Sequence, residues 1–225
     1  MIGADTRTSL RRIAASVAVV IALVALAGCG GSTVSDVPIG TPPKVGDVFP
    51  YTRYLSGSGE VVDLDVERQD AQVLLVFMRG FDGMVCPYCT RQTATIISRY
   101  DDLQAAGFKV YIVYPGPESS VPMFVEEVGE RVKLEGDAMP VPLLLDVDLR
   151  AVRTLGIPAK LAKPATFVID RDGKLLYSYI GESMNDRPDL DTVLQAVRPT
   201  VVETPAGAAS PDEAPTAAAG APTDG

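Results

Sequence analysis

Phe77-Met78-Arg79-Gly80-Phe81-Asp82-Gly83-Met84-Val85-Cys86-Pro87-Tyr88-Cys89 is the stretch that decides the reading of this chain. The apolar run Val73 to Phe77 leads into it and reads as a buried strand. A helical pattern leaves it, with Ile96, Ile97, Tyr100 and Leu103 on one face and Gly107 as the expected stop. Cys86 and Cys89 therefore stand where a strand hands over to a helix. The unpaired N–H groups and the positive dipole end of a helix stabilise a thiolate on the first cysteine. Pro87 suits the first turn because its missing N–H would be unpaired there anyway. Two intervening residues let the sulfurs close a small, reversible disulfide. Alone, the spacing also fits half a zinc site or a structural disulfide; between strand and helix it favours redox chemistry.

Composition narrows the chemistry. A length of 225 residues fits one domain with attachments, and 47% hydrophobic residues suffice for a core. The net charge of −9 gives no basic footprint, so nucleic acid is not an expected partner. Histidine is absent, which removes Ser-His-Asp and Cys-His nucleophilic pairs and His-ligated metals. With only three cysteines a zinc site is disfavoured as well. No metal and no cofactor is expected.

Residues 1–28 read as a signal peptide: Arg7, Arg11 and Arg12 precede the apolar segment Ile13 to Ala27, which is short for a membrane span. It ends Leu26-Ala27-Gly28-Cys29, which is similar to the lipobox of bacterial lipoproteins. That resemblance implies cleavage before Cys29, lipid on its sulfur and a cell-membrane anchor on the extracytoplasmic side. It also leaves Cys86 and Cys89 as the remaining pair. Residues 29–43, rich in Gly, Ser, Thr and Pro, read as a flexible tether. The domain is expected over 44–199. The Ala/Pro-rich acidic tail 200–225 reads as disordered.

Within the domain, Tyr51–Leu55 and Val61–Leu64 form an expected hairpin across Gly57-Ser58-Gly59. Lys109 to Tyr114 is the next strand, and Val121, Phe124, Val125 and Val128 mark a helix capped by Ser119 or Ser120. Pro142 to Leu145 is a short apolar segment, and Asp148 to Leu155 a short helix. Ala165–Ile169 and Leu175–Ile180 flank an Asp172-Gly173 turn, and Leu190, Val193, Leu194 and Val197 face inward from a last helix. The pattern is α/β with mixed pairing.

Three stretches carry a family resemblance: Val45-Gly46-Asp47-Val48-Phe49-Pro50, Phe77-Met78-Arg79-Gly80 with Cys86-Pro87-Tyr88-Cys89, and Lys163-Pro164-Ala165-Thr166-Phe167 running on to Gly173. Asp186-Arg187-Pro188 fits too. Together they resemble the thioredoxin superfamily, in its redoxin, or AhpC/TSA and peroxiredoxin-like, branch. The resemblance implies a thioredoxin-like fold: a central mixed sheet flanked by helices, here with an N-terminal β-hairpin extension. It implies a cis peptide at Pro164, whose loop faces the thiols, and places Lys163 and Arg79 close enough to lower their pKa. Pro87 and Tyr88 support the pair.

The chain also departs from that pattern. Phe81 to Val85 lengthen the approach to Cys86, and Val85 stands where relatives carry Trp. When Cys89 is set on the peroxidatic cysteine of the peroxiredoxin pattern Pro-x-x-x-Thr/Ser-x-x-Cys, Cys86 replaces the hydroxyl and Asp82 the proline. The reading is therefore a thiol–disulfide oxidoreductase acting on protein disulfides or drawing on a thiol electron donor. Cys86 is the accessible nucleophile and Cys89 the more buried resolving thiol. The alternatives are a thiol peroxidase using Cys89 or Cys86, with Arg79, Arg91 or Arg150 on the peroxide, and a binding lipoprotein with a structural disulfide.

Overall fold

The computed structural model describes residues 37–134 and 139–197. The signal peptide, Cys29 and the 200–225 tail lie outside the described residues.

The run Gln72–Phe77 (β3) forms the centre of the sheet, buried along Val73 to Phe77. A strand can be apolar at every position only where both faces are covered. Leu74 and Val76 face one layer of core with Ile96, Phe124 and Val193, and Val73, Leu75 and Phe77 face another with Phe49, Leu64 and Leu155. Phe108–Pro115 (β4) runs parallel to β3, and Leu143–Asp146 (β5) parallel to β4. Ala165–Ile169 (β6) lies antiparallel on the other side of β3, followed by Leu175–Ile180 (β7). Arg53–Ser56 (β1) and Val61–Asp63 (β2) form the expected hairpin, with β1 antiparallel to β5. Among the described residues the sheet is seven-stranded, in the order β2-β1-β5-β4-β3-β6-β7. The thioredoxin-like mixed sheet with an added N-terminal hairpin is thus observed.

Helices Pro87–Ser98 (α2), Val121–Val132 (α4) and Leu190–Val197 (α6) cover one face. The short Leu64–Glu67 (α1) and Arg150–Thr154 (α5) lie on the other. The helical pattern after the cysteines breaks at Arg99 and resumes as Tyr100–Ala105 (α3), and Gly107, at φ +87°, ends it as expected.

Several local expectations are corrected by side-chain hydrogen bonds. The segment after Val62 turns into α1 because the Asp63 carboxylate accepts from the Asp65 N–H at 3.0 Å. Ser120 stands at the start of α4 without capping it, since its hydroxyl donates to the Pro117 carbonyl at 2.7 Å. The helix expected from Asp148 begins at Arg150, after Leu149 in the left-handed region, and is capped from a distance. The buried Asp146 carboxylate accepts from the Ala151 and Val152 N–H groups at 3.1 and 2.9 Å. Burial pushes its pKa up, and those N–H groups oppose the rise.

The end of the supposed tether is also part of the domain. The Gly40 N–H donates to the Arg153 carbonyl at 2.8 Å, and the Ser178 hydroxyl donates to the Pro43 carbonyl at 2.6 Å. Pro43 is buried. Order therefore reaches back past Lys44, because this segment supplies backbone partners to α5 and β7.

Candidate active site

β3 ends at Phe77, and the chain leaves it through Met78, Arg79 and Gly80. Gly80 is required there: its φ is +86°, and a Cβ would sit 2.1 Å from the Pro115 carbonyl oxygen. The loop then turns back to α2, which Cys86 precedes at φ −76°, ψ 116°, with Pro87 in the first turn as expected. Cys86 and Cys89 are free thiols in this structure.

Their environments differ in chemistry more than in exposure. Cys86 is 3% exposed and Cys89 1%, so the expectation of an accessible Cys86 is corrected. The loop 81–85 folds Val85 inward beside the pair, and both thiols join the core on that face. The Cys86 pKa falls from 9.0 to about 5. The largest cause is the Cys89 thiol, which donates to it; burial opposes. The backbone N–H groups of Cys89 and Tyr88 and the charge of Arg187 lower it further. Cys89 moves the other way, held protonated by its bond to Cys86 and by burial, with Arg187 acting against both. At neutral pH the pair is thus a Cys86 thiolate accepting a hydrogen bond from a Cys89 thiol.

Two donors converge on Cys89. The Arg79 backbone N–H lies 3.3 Å from its sulfur and the Arg187 Nη2 3.2 Å. Arg187 also donates through Nη1 to Gln92 and through Nε to the Met184 carbonyl at 3.2 Å. Its loop is built by Asp186, whose carboxylate accepts from the Tyr179 hydroxyl and from the Glu182 N–H at 2.8 Å. Those donors hold the Asp186 pKa below the usual carboxylate range. On the other side, Arg131 of α4 donates to the Thr90 hydroxyl at 2.8 Å, and Thr90 donates to the Pro87 carbonyl at 3.1 Å. This chain of bonds ties α4 to the first turn of α2.

The residues expected in support are distributed unevenly. Arg79 acts through its backbone, while its guanidinium is spent on Asp82 at 3.1 Å, which Lys160 also meets at 2.6 Å. Lys163 is exposed, its N–H donates to the Ile157 carbonyl at 2.8 Å, and among the described residues no hydrogen bond or ion pair links it to the thiols. The cation at the pair is Arg187 instead. Tyr88 is half-buried under the Arg91 guanidinium, 5.8 Å from its ring centroid, and Pro87 is exposed. The charge of Arg150 acts on Tyr51, in the opposite core layer.

Pro164 is buried and precedes Ala165, which pairs with Phe77, so it lies at the same end of the sheet as the thiols. Its peptide bond is trans, which corrects the implied cis bond. The trans form is the lower in energy. Here the Pro164 carbonyl simply extends the β6–β7 pairing by accepting from the Gly181 N–H at 2.8 Å.

Sequence reasoning noticed Arg187 only as part of a resembling tripeptide, and missed Thr90, Arg131 and Gln92. An arginine beside a proline near the chain's end carries no signal of what it will touch 98 positions earlier.

The AhpC/TSA family model matches residues 45–178, a span that holds both cysteines and most of the sheet. No curated protein matches the chain. Among solved structures, peroxidoxin BcpB from Mycobacterium tuberculosis is similar at 23% identity, with a TM-score of 0.56 over 69% of this chain and 96% of that one. A mutant of peroxiredoxin 6 of Arenicola marina is similar at 20% identity, with a TM-score of 0.58 over 68% and 71%. Mycobacterium bovis AhpC follows at 16% identity and a TM-score of 0.57 over 69% and 91%. At such identities the likeness to these three is one of fold. The family match itself runs over more than half of the sequence and takes in the strand, the thiols and the β6–β7 hairpin: the chain belongs to the AhpC/TSA family.

Proposed function

We propose that this protein is a thiol–disulfide oxidoreductase that uses Cys86 and Cys89 as its redox pair. The observation that carries the reading is the division of labour between the sulfurs, a thiolate at the start of α2 and a protonated thiol three residues on. The Cys86 thiolate attacks one sulfur of a partner disulfide, and the other partner sulfur leaves as a thiolate. Cys89 then gives up its proton and attacks the Cys86 sulfur. The mixed disulfide breaks and the second partner thiolate departs. The partner disulfide is reduced by two electrons and the pair is oxidised to a Cys86–Cys89 disulfide; run in reverse, the same steps oxidise a dithiol. Membership of a family with peroxiredoxin-like relatives supports a redox enzyme in general.

Cys89→Ser should accumulate mixed disulfides through Cys86, seen as higher-mass bands on non-reducing gels that dithiothreitol removes. Cys86→Ser should accumulate none. Adducts that persist in Cys86→Ser would assign the nucleophile to Cys89 and overturn this division.

A second reading is favoured by one observation, the convergence of the Arg79 N–H and the Arg187 guanidinium on the Cys89 sulfur. In a peroxidase these donors would stabilise a Cys89 thiolate and the oxygen it attacks. In this chain Cys86 occupies the position of the orienting hydroxyl and takes the charge, so exchange remains the preferred reading.

The proposed setting is the extracytoplasmic side of the cell membrane, with lipid on Cys29 as anchor, which rests on Leu26-Ala27-Gly28-Cys29. An oxidising compartment suits a reversible disulfide. Cys29→Ser should move the protein from the membrane fraction to the soluble one; a variant that stays with the membranes would refute lipid anchoring.

A further inference from the structure

We propose that residues 81–85 form a lid beside the redox pair, latched by Asp82, and that Cys86 reacts only when this lid swings open. The need for such a step comes from coverage. Cys86 carries the thiolate at the start of α2, yet it is 3% exposed. A thiolate needs an open line of approach to a partner sulfur, so the covered arrangement cannot react as it stands. The five residues that precede it are the least tied segment at this end of the sheet. Val85, 8% exposed, and the half-buried Phe81 pack into the core layer that holds both sulfurs, while Gly83 and Met84 between them stand exposed. Among the described residues, none of the five has a backbone N–H or carbonyl bonded to another backbone group. The flanks, by contrast, are fixed. The Arg79 carbonyl accepts from the Ala162 N–H at 3.3 Å, and the Cys86 carbonyl from the Thr90 N–H at 3.1 Å. Neighbouring loops are bonded within themselves, Lys163 N–H to the Ile157 carbonyl at 2.8 Å and Asp186 N–H to the Ser183 carbonyl at 3.2 Å. Segments with few backbone hydrogen bonds open at the lowest free energy, which singles out 81–85.

The polar tie of the lid is one side chain. The Asp82 carboxylate meets the Arg79 guanidinium at 3.1 Å and the Lys160 ammonium at 2.6 Å. Lys160 first, and Arg79 after it, hold the Asp82 pKa below the usual carboxylate range, so the latch is charged at neutral pH. Lys160 belongs to a separate loop, the one whose Ala162 N–H holds the Arg79 carbonyl, so the ion pair fastens 81–85 to a different part of the chain. The Lys160 side chain is mostly exposed, which makes the hold modest and sensitive to salt. Gly80 and Gly83, at φ +86° and +78°, supply the bends. They differ in one respect: a Cβ at Gly80 would strike the Pro115 carbonyl, whereas one at Gly83 would meet nothing within 4 Å. The proposal rests on the reading of Cys86 as the reacting thiol, and it concerns access to that thiol, whatever the thiol then attacks.

Alkylation of Cys86 in the reduced protein by uncharged iodoacetamide near pH 8, followed by peptide mass spectrometry, tests it. Cys86 is already ionised there, so the rate reports access. Asp82→Asn should raise the rate about fivefold by releasing the latch. Gly83→Ala should raise it about as much, since it adds backbone strain to the closed lid and no clash. Salt at about 1 M should quicken the wild-type protein and Gly83→Ala but not Asp82→Asn. The wild-type rate should stay level in urea below the unfolding transition, because opening a lid exposes little surface. A rate left unchanged by either variant, an equal salt response in Asp82→Asn, or a wild-type rate that climbs steeply from the first addition of urea would each overturn the proposal. Mixed-disulfide adducts on gels, followed alongside, keep the two readings apart: a protein that forms none, yet is alkylated faster in both variants, keeps the lid and loses exchange.

Discussion

Cys86→Ser protein should exchange with a disulfide-bonded protein no faster than the assay background, and its remaining thiol should react with hydrogen peroxide no faster than an ordinary thiol. The first half follows from the charge. Of the two sulfurs only Cys86 is a thiolate at neutral pH, and the thiolate is the nucleophile. Substitution therefore removes the reacting atom. The second half is the sharper test. Without the Cys86 thiolate, the largest influence holding the Cys89 proton disappears, and Arg187 and the Arg79 N–H remain on its sulfur. If those donors make a peroxide site, the variant will reveal it.

Stopped-flow oxidation of Cys86→Ser and Cys86→Ala, with trapping of sulfenic acid, distinguishes the cases. Slow oxidation in both variants is the expected result. Fast oxidation in Cys86→Ser alone would report the hydroxyl introduced at position 86. Fast oxidation in both would promote the peroxidase and set exchange aside.

The stability of the reduced protein should rise by about 3–5 kcal/mol between pH 5 and pH 8.5, while the disulfide form shows no such rise from these groups. Cys86 titrates at about 5 in the folded dithiol and near 9.0 when unfolded. Between those values the unfolded chain binds a proton that the folded chain does not, so stability increases with pH. The contribution is complete above the unfolded value and is lost as pH falls through the folded one. Cys89 behaves oppositely: its folded pKa is raised, so its contribution is present below the unfolded value and fades as pH climbs past it. Together they place the optimum of the pair near pH 8.5 to 9.

Urea unfolding of the reduced protein at pH 5.0, 6.5 and 8.0, with Cys86→Ala as reference, measures the effect; a difference independent of pH would refute the thiolate assignment. The same stabilisation of the dithiol makes the disulfide a stronger oxidant. At pH 7 the reduction potential should lie above about −200 mV, toward the oxidising end of the range of exchange proteins.

Much of the fold was legible because its signals are local. The continuous apolar run Val73–Phe77 could only be a strand covered on both faces, and it is. The i, i+3, i+4, i+7 pattern from Val121 to Val128, the stop at Gly107 and the Asp172-Gly173 turn are properties of a few neighbouring residues. Cys86-Pro87-Tyr88-Cys89 placed the thiols at the mouth of a helix for the same reason, because strand-to-helix punctuation lies within a dozen residues. The features that were misread are those in which a polar side chain finds its partner at a distance or off pattern. Asp146 caps a helix five and six residues on, Ser120 bonds backward instead of capping, and Gly40 is held by Arg153.

By itself the sequence determined the alternation of strands and helices, the place of Cys86 and Cys89 between a strand and a helix, and the acidic, histidine-free composition of the chain. Only the tertiary structure decided which cation serves the thiols. Lys163 lies beside Pro164 at the thiol end of the sheet yet stays in solvent, and Arg187 arrives from 98 residues away because Asp186, Tyr179 and Glu182 fold its loop onto α2. It also decided that both sulfurs are covered and that the Pro164 peptide is trans. The physical reason is range. Periodicity and turn chemistry act over a few residues, whereas a thiolate's charge is set by whatever donors the packed chain brings within about 4 Å of it.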